Sequence, residues 1–177
     1  MKNLGRFLIV FVLLSVPAFA QDLTLFGGVQ FPGKVTLSST TSGVNQIISD
    51  PINVGVFGAR FGSGKAWGHE ESFAYTPNFL SSSSKSILLH SNLMLQIPAP
   101  VIKPYATAGM GPILSWGSGP SDIGSKFAVN YGGGVKIKPA GPVGVRFDGR
   151  NYTVFGVQNQ KLNMFEVSVG VVLGFGK

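Results

Sequence analysis

The feature that most constrains this chain is a period-two alternation of apolar and polar residues, recurring in stretches of about ten residues from Leu23 onward and broken each time by turn-forming residues. Alternation at that period puts successive side chains on opposite faces of a strand, and no stretch beyond the first twenty residues sustains a helical period. Eight strands are expected: Leu23–Phe31, Asn53–Gly62, Ala66–Thr76, Ser86–Ile97, Ile102–Ser115, Lys126–Lys138, Pro142–Tyr152 and Leu162–Phe175. Each matches or slightly exceeds the roughly 9–11 residues with which a tilted strand crosses a bilayer.

The connections between these strands alternate in length. Long ones are expected at Pro32–Ile52, Pro77–Lys85, Trp116–Ser125 and Val154–Lys161, and short ones at Ser63-Gly64-Lys65, Pro98–Val101 and Pro139-Ala140-Gly141. Barrels of bacterial outer membranes sort their loops in this way, with short periplasmic turns and longer outer loops. With an even strand number, both termini then fall on the short-turn side.

In four of these strands the two faces also differ consistently. In the last, Phe165, Val167, Val169, Val171, Leu173 and Phe175 oppose Glu166, Ser168 and Gly170. In the fourth, Ile87, Leu89, Leu93, Leu95 and Ile97 oppose His90, Asn92 and Gln96; in the sixth, Phe127, Val129, Tyr131, Val135 and Ile137 oppose Asn130, Gly132, Gly134 and Lys136. In the seventh, Val143, Val145 and Phe147 oppose Arg146, Asp148 and Arg150. Only 12% of residues are charged while 44% are hydrophobic, against roughly 25% charged in a typical soluble domain. A soluble ligand-binding barrel would turn its apolar face inward and need a charged coat that this composition does not supply. The expected fold is therefore an all-β, eight-stranded, antiparallel up-and-down transmembrane barrel with its apolar face toward lipid. Tyr75, Trp116 and Tyr131 are candidates for interfacial aromatic girdles. The third strand fits poorly: His69 and Glu71 would face lipid, which requires a bulge, a partner or the headgroup zone.

The first residues are separate from this pattern. Lys2 and Arg6 precede a nearly continuous apolar run from Phe7 to Val16, and Ala18-Phe19-Ala20 has the small-x-small form of a cleavage site before Gln21. The apolar run is too short to span a bilayer as a helix. Residues 1–20 are expected to be a cleaved signal peptide and 21–177 the barrel, placed in the outer membrane of a Gram-negative cell. The mature chain would hold 12 basic and 7 acidic residues, dispersed along it, which gives no nucleic-acid footprint. The absence of cysteine excludes disulfides, thiolate metal sites and cysteine nucleophiles.

On the inward face the expected polar network comprises Arg60, Glu70, His90, Lys103, Lys136, Arg146, Asp148, Arg150 and Glu166. Buried charges of both signs must pair, because unpaired ones are costly, and eight strands leave an interior filled by side chains. The alternative is a narrow, gated pore. No metal and no cofactor is expected: His69-Glu70-Glu71 supplies ligand types, but adjacent strand residues diverge. The same divergence argues against His90-Ser91 with Glu70 as a hydrolytic triad. The serine-, threonine- and glycine-rich segment Pro32–Ile52 and the run Ser81–Ser84 are candidates for surface contacts.

With eight such strands, the segment Lys103-Pro104-Tyr105-Ala106-Thr107-Ala108-Gly109-Met110-Gly111 in the fifth, and Phe175 near the end, the chain resembles the family of small OmpA-like outer-membrane barrels over nearly all of Gln21–Lys177. The resemblance implies a setting of outer-membrane lipid and lipopolysaccharide. It also implies that Phe175 serves as the terminal aromatic read by the barrel-assembly machinery, although Gly176 and Lys177 follow it. A non-enzymatic envelope-structural or adhesion-type role through the outer loops is expected. A lipid A-modifying activity, deacylase or acyltransferase, is the alternative within that resemblance.

Overall fold

A computed structural model of the chain describes residues 20–34, 52–82, 84–117, 122–138, 141–157 and 160–175. The proposed signal peptide and most of the first long loop lie outside the described residues. The eight strands are β1 Asp22–Pro32, β2 Val54–Gly64, β3 Trp67–Pro77, β4 Lys85–Gln96, β5 Ile102–Trp116, β6 Ser125–Ile137, β7 Val143–Val157 and β8 Gln160–Gly174. Each pairs antiparallel with the next, and β1 pairs with β8 from Asp22↔Gly174 to Pro32↔Met164, closing the barrel. Closure leaves no strand edge in the membrane, where unpaired backbone groups would find no water.

The outward face is predominantly apolar. Phe165, Val167, Val169 and Val171 along β8 are each 48–50% exposed, as expected for side chains that meet lipid instead of one another. At the long-loop rim, Phe31 packs on Phe165 and Phe57 packs edge-on to Tyr75, with Trp116 exposed nearby. Tyr131 is not part of that girdle. It lies in the middle of β6, opposite Asn151, whose side-chain amide donates to its hydroxyl.

The expectation of long connections holds at three sites and fails at the fourth. The stretch read as a loop at Val154–Lys161 is largely strand: β7 continues to Val157 and β8 begins at Gln160. The alternation was obscured by a bulge between Val154 and Val157, where Gly156 has φ +73° and the register slips before Val157 pairs with Gln160. Val154, Val157 and Leu162 remain fully buried, so inward burial continues beyond the apparent turn.

The interior has two storeys. On the long-loop side it is apolar, filled by Val56, Leu88, Ile113, Val154, Leu162, Met164 and their neighbours. The turn between β3 and β4 folds into this storey: Asn78 takes φ +57°, and Phe79 and Leu80 turn inward with 0% and 3% exposure. Ser84 holds the turn, its hydroxyl accepting from the amides of Leu80 and Ser81. The serine run is therefore in part the clasp of a hydrophobic cork. On the short-turn side the interior is charged.

Candidate functional site

Strand β7 builds the centre of the charged storey. Arg146, Asp148 and Arg150 occupy alternate positions and so share its inward face. Barrel closure brings Arg60 of β2 and Glu70 of β3 across the lumen to meet them. Arg60 reaches Asp148 at 2.8 Å and Glu166 at 2.7 Å; Arg146 reaches Glu70 at 2.6 Å and Asp148 at 2.7 Å; Arg150 reaches Glu70 at 2.7 Å and Asp148 at 3.1 Å. Three guanidiniums thus face three carboxylates, and Asp148 touches all three arginines. None of the six side chains exceeds 1% exposure.

Neutral groups satisfy further atoms of this cluster, while Arg60 Nε and Arg150 Nη1 have no hydrogen-bond partner among the described residues. Arg146 Nε donates to the Tyr105 hydroxyl at 2.8 Å and its guanidinium lies over the Tyr105 ring, while Arg60 lies 3.8 Å from the Phe26 ring centroid. Gln30 donates to Glu166 and accepts from Thr76. Such contacts matter because a buried ion pair offsets its own desolvation only when the remaining polar atoms are satisfied. Inward glycines make room: a Cβ at Gly134 would collide with the Phe147 carbonyl and the Tyr105 hydroxyl, and one at Gly132 with the Arg150 backbone.

The remaining expected members stand apart. Lys136 pairs with Asp22 at 2.8 Å, closer to the short-turn mouth. Lys103 makes no ion pair in the cluster; it is half-buried and lines a mouth cavity of about 480 Å³ with Lys65, Lys136 and Lys138. His90 is buried beside the Tyr152 ring, and its Nε2 has no hydrogen-bond partner. His90, Ser91 and Glu70 do not converge: Glu70 is held by two arginines and Ser91 points to the outer face. Phe175 is 64% exposed, with its amide bonded to the Gln21 carbonyl at the β1–β8 seam.

On the outer wall, the poorly fitting third strand contains no bulge. His69 and Glu71 meet each other, with Nε2 2.6 Å from Oε1, and Ser91 Oγ lies 3.4 Å from the same nitrogen. The sequence reading noted the two β3 residues without their cross-strand partner. Asp22, Tyr105, Phe26 and Gln30 were likewise missed as members of the interior, since nothing local in the sequence gives the register that aligns them.

A closed antiparallel barrel with an apolar belt outside and a self-neutralising cluster of buried charges inside is a membrane-spanning β-barrel protein. The outer membrane protein beta-barrel domain matches residues 7–175, and the chain belongs to that family. No curated protein matches it. Among solved structures it is similar to Neisserial surface protein A, with 15% identity and a TM-score of 0.62 over 86% of this chain and 97% of that one. It is similar also to the outer membrane enzyme PagL, with 13% identity and a TM-score of 0.56 over 87% and 99%. A third is Ail, the attachment invasion locus protein of Yersinia pestis, with 16% identity and a TM-score of 0.50 over 88% and 100%. These identities speak to the fold alone.

Proposed function

We propose that this protein is a non-conducting outer-membrane barrel that acts from its outward surfaces, in envelope structure or surface interaction, and not through its lumen. The carrying observation is the filled interior: paired charges occupy the short-turn storey, and the Phe79–Leu80 cork occupies the other. Two of the similar structures bear names that speak of a surface protein and of attachment, which supports contact through the loops. In this reading residues 1–20 direct export and are removed, residues 21–177 insert beside lipopolysaccharide, and Phe175 is presented to the assembly machinery.

Two measurements test this reading. In planar bilayers the refolded protein is expected to give no stable single-channel current, and a reproducible open level would sink the non-conducting reading. Replacing residues 33–53 with a short Gly-Ser turn is expected to leave heat-modifiable migration in SDS intact while abolishing binding of whole cells to host or phage surfaces that recognise the parent. Unchanged binding would remove the loop from the account.

A further inference from the structure

The trio on the outer wall has the composition of an acyl-transfer site, with the Glu71 carboxylate and the Ser91 hydroxyl both within reach of His69 Nε2. Ser91 on β4 stands directly opposite Glu71 on β3, and His69 lies two residues before Glu71 on the same face. The imidazole touches both partners, and its side chain is 46% exposed. A hydroxyl next to an imidazole that is itself held by a carboxylate is the arrangement that turns serine into a nucleophile.

Two further observations indicate the substrate. Alongside the trio, Trp67, Leu93, Leu95, Ala106 and Ala108 line a shallow apolar groove of about 210 Å³, made by small β5 residues set against large β3 and β4 residues. Leu93 is the register partner of His69, so the groove runs directly into the polar trio. The depth also fits. Trp67, 75% exposed, opens β3 just above the short turn holding Lys65, and His69 is two residues further along. At ~3.3 Å per residue and a strand tilt near 40°, the imidazole sits roughly 5 Å above the tryptophan. With the exposed Trp67 ring at the membrane–water interface, where tryptophans concentrate, that puts the imidazole near the depth of the acyl ester bonds on the short-turn side.

The geometry points to Ser91 and His69 as catalytic residues, with Glu71 as a positioning residue, for cleaving an acyl ester of a glycerophospholipid in the periplasmic leaflet, with one acyl chain in the groove. This goes beyond the surface-interaction reading and runs against the expectation of a non-enzymatic barrel; it rests on the outer-membrane orientation alone. Ser91 Oγ adds to the ester carbonyl carbon as its proton passes to the imidazole. The tetrahedral adduct then expels the glycerol oxygen, which takes that proton, and leaves an acyl-serine. Water, deprotonated by the same imidazole, releases the fatty acid, so the products are one fatty acid and one lysophospholipid. Both contacts now fall on Nε2, so the relay is complete when the half-exposed ring turns to offer Nδ1 to Glu71 and Nε2 to Ser91. Ser91 lies between paired strands, opposite Glu71 and Met110, so the ladder occupies the nearby backbone amides and supplies no ready oxyanion donor. Slow turnover with clear acylation is the expected behaviour.

The test uses the full mature chain refolded into vesicles of diester phosphatidylethanolamine, with the diether analogue as a non-cleavable control, and a fluorophosphonate probe in detergent micelles. Lysophospholipid is expected from diester vesicles only, with probe adduct mapped to Ser91 by mass spectrometry. Ser91→Ala and His69→Ala are expected to lower product by about a hundredfold or more, with heat-modifiable migration unchanged. Glu71→Asp should retain more activity than Glu71→Gln, and Ala106→Phe, which fills the groove, should slow hydrolysis of the long-chain lipid. Absence of both adduct and lysophospholipid overturns the proposal, and so does product formation that Ser91→Ala leaves untouched. Neither failure bears on bilayer conductance or on loop-dependent binding.

Discussion

Asp148 Oδ2 lies 2.8 Å from Arg60 Nη1 across the lumen, joining β7 to β2, two strands that share no ladder. The same carboxylate also holds Arg146 and Arg150. Removing it leaves three guanidiniums facing two carboxylates in a sealed interior.

Asp148→Ala is therefore expected to cost about 3–5 kcal/mol, the range for breaking a buried pair from one side. Urea unfolding in lipid vesicles, followed by tryptophan fluorescence, measures it. Lys85→Ala, on an exposed side chain at the start of β4, serves as the control and should stay within about 0.5 kcal/mol. A similar small effect at Asp148 would mean that water reaches the cluster.

Phe79→Ala removes the largest part of the cork. A fully buried aromatic replaced by alanine costs about 3–5 kcal/mol. The same variant should still carry no current, because the paired charges below the cork remain in place. Current through Phe79→Ala would show that the cork alone seals the barrel.

Gly134→Ala tests the packing between the charged cluster and the wall. Its new methyl group would meet the Phe147 carbonyl and the Tyr105 hydroxyl, the hydroxyl that accepts from Arg146. A loss of about 1–3 kcal/mol is expected from overpacking. Adding Tyr105→Phe should recover part of it only if the hydroxyl is the limiting clash. Thermal unfolding of the two variants and the pair decides this.

The outward pair of His69 and Glu71 should contribute little to the fold. Replacing both with leucine is expected to leave stability unchanged or to raise it by about 1 kcal/mol, because apolar residues in lipid avoid desolvating a polar pair. A marked loss would make the pair structural, and would weaken the case for its chemistry.

Strand number, the lipid-facing side of four strands and most strand ends were legible in the sequence, because alternation reports burial residue by residue. The end of β7 was not, since a bulge breaks the period where burial continues. The inward position of Arg146, Asp148 and Arg150 followed from parity alone. Their partners did not, because which strands face one another across a lumen depends on closure and stagger, and neither is encoded locally. The sequence suggested a polar interior, whereas the long-loop half is largely apolar: residues such as Phe79 and Leu80 sit in a turn, where parity gives no direction. Ser91 was considered with its neighbour His90 in the chain, whereas the imidazole that meets it belongs to the adjacent strand.

Among the described residues, the ion pairs that cross the lumen all tie an early strand to a late one: Asp22 to Lys136, Arg60 to Asp148 and Glu166, and Glu70 to Arg146 and Arg150. A half-made sheet therefore keeps the Asp22–Lys136 pair at most and lacks the β7 and β8 charges that hold Arg60 and Glu70. A chain truncated before β7 would present Arg60 and Glu70 without these counterparts and lack the strand that closes on β1. Completeness is thus tested by charge balance itself, and a broken or unfinished copy carries an electrostatic mark by which it differs from the finished protein.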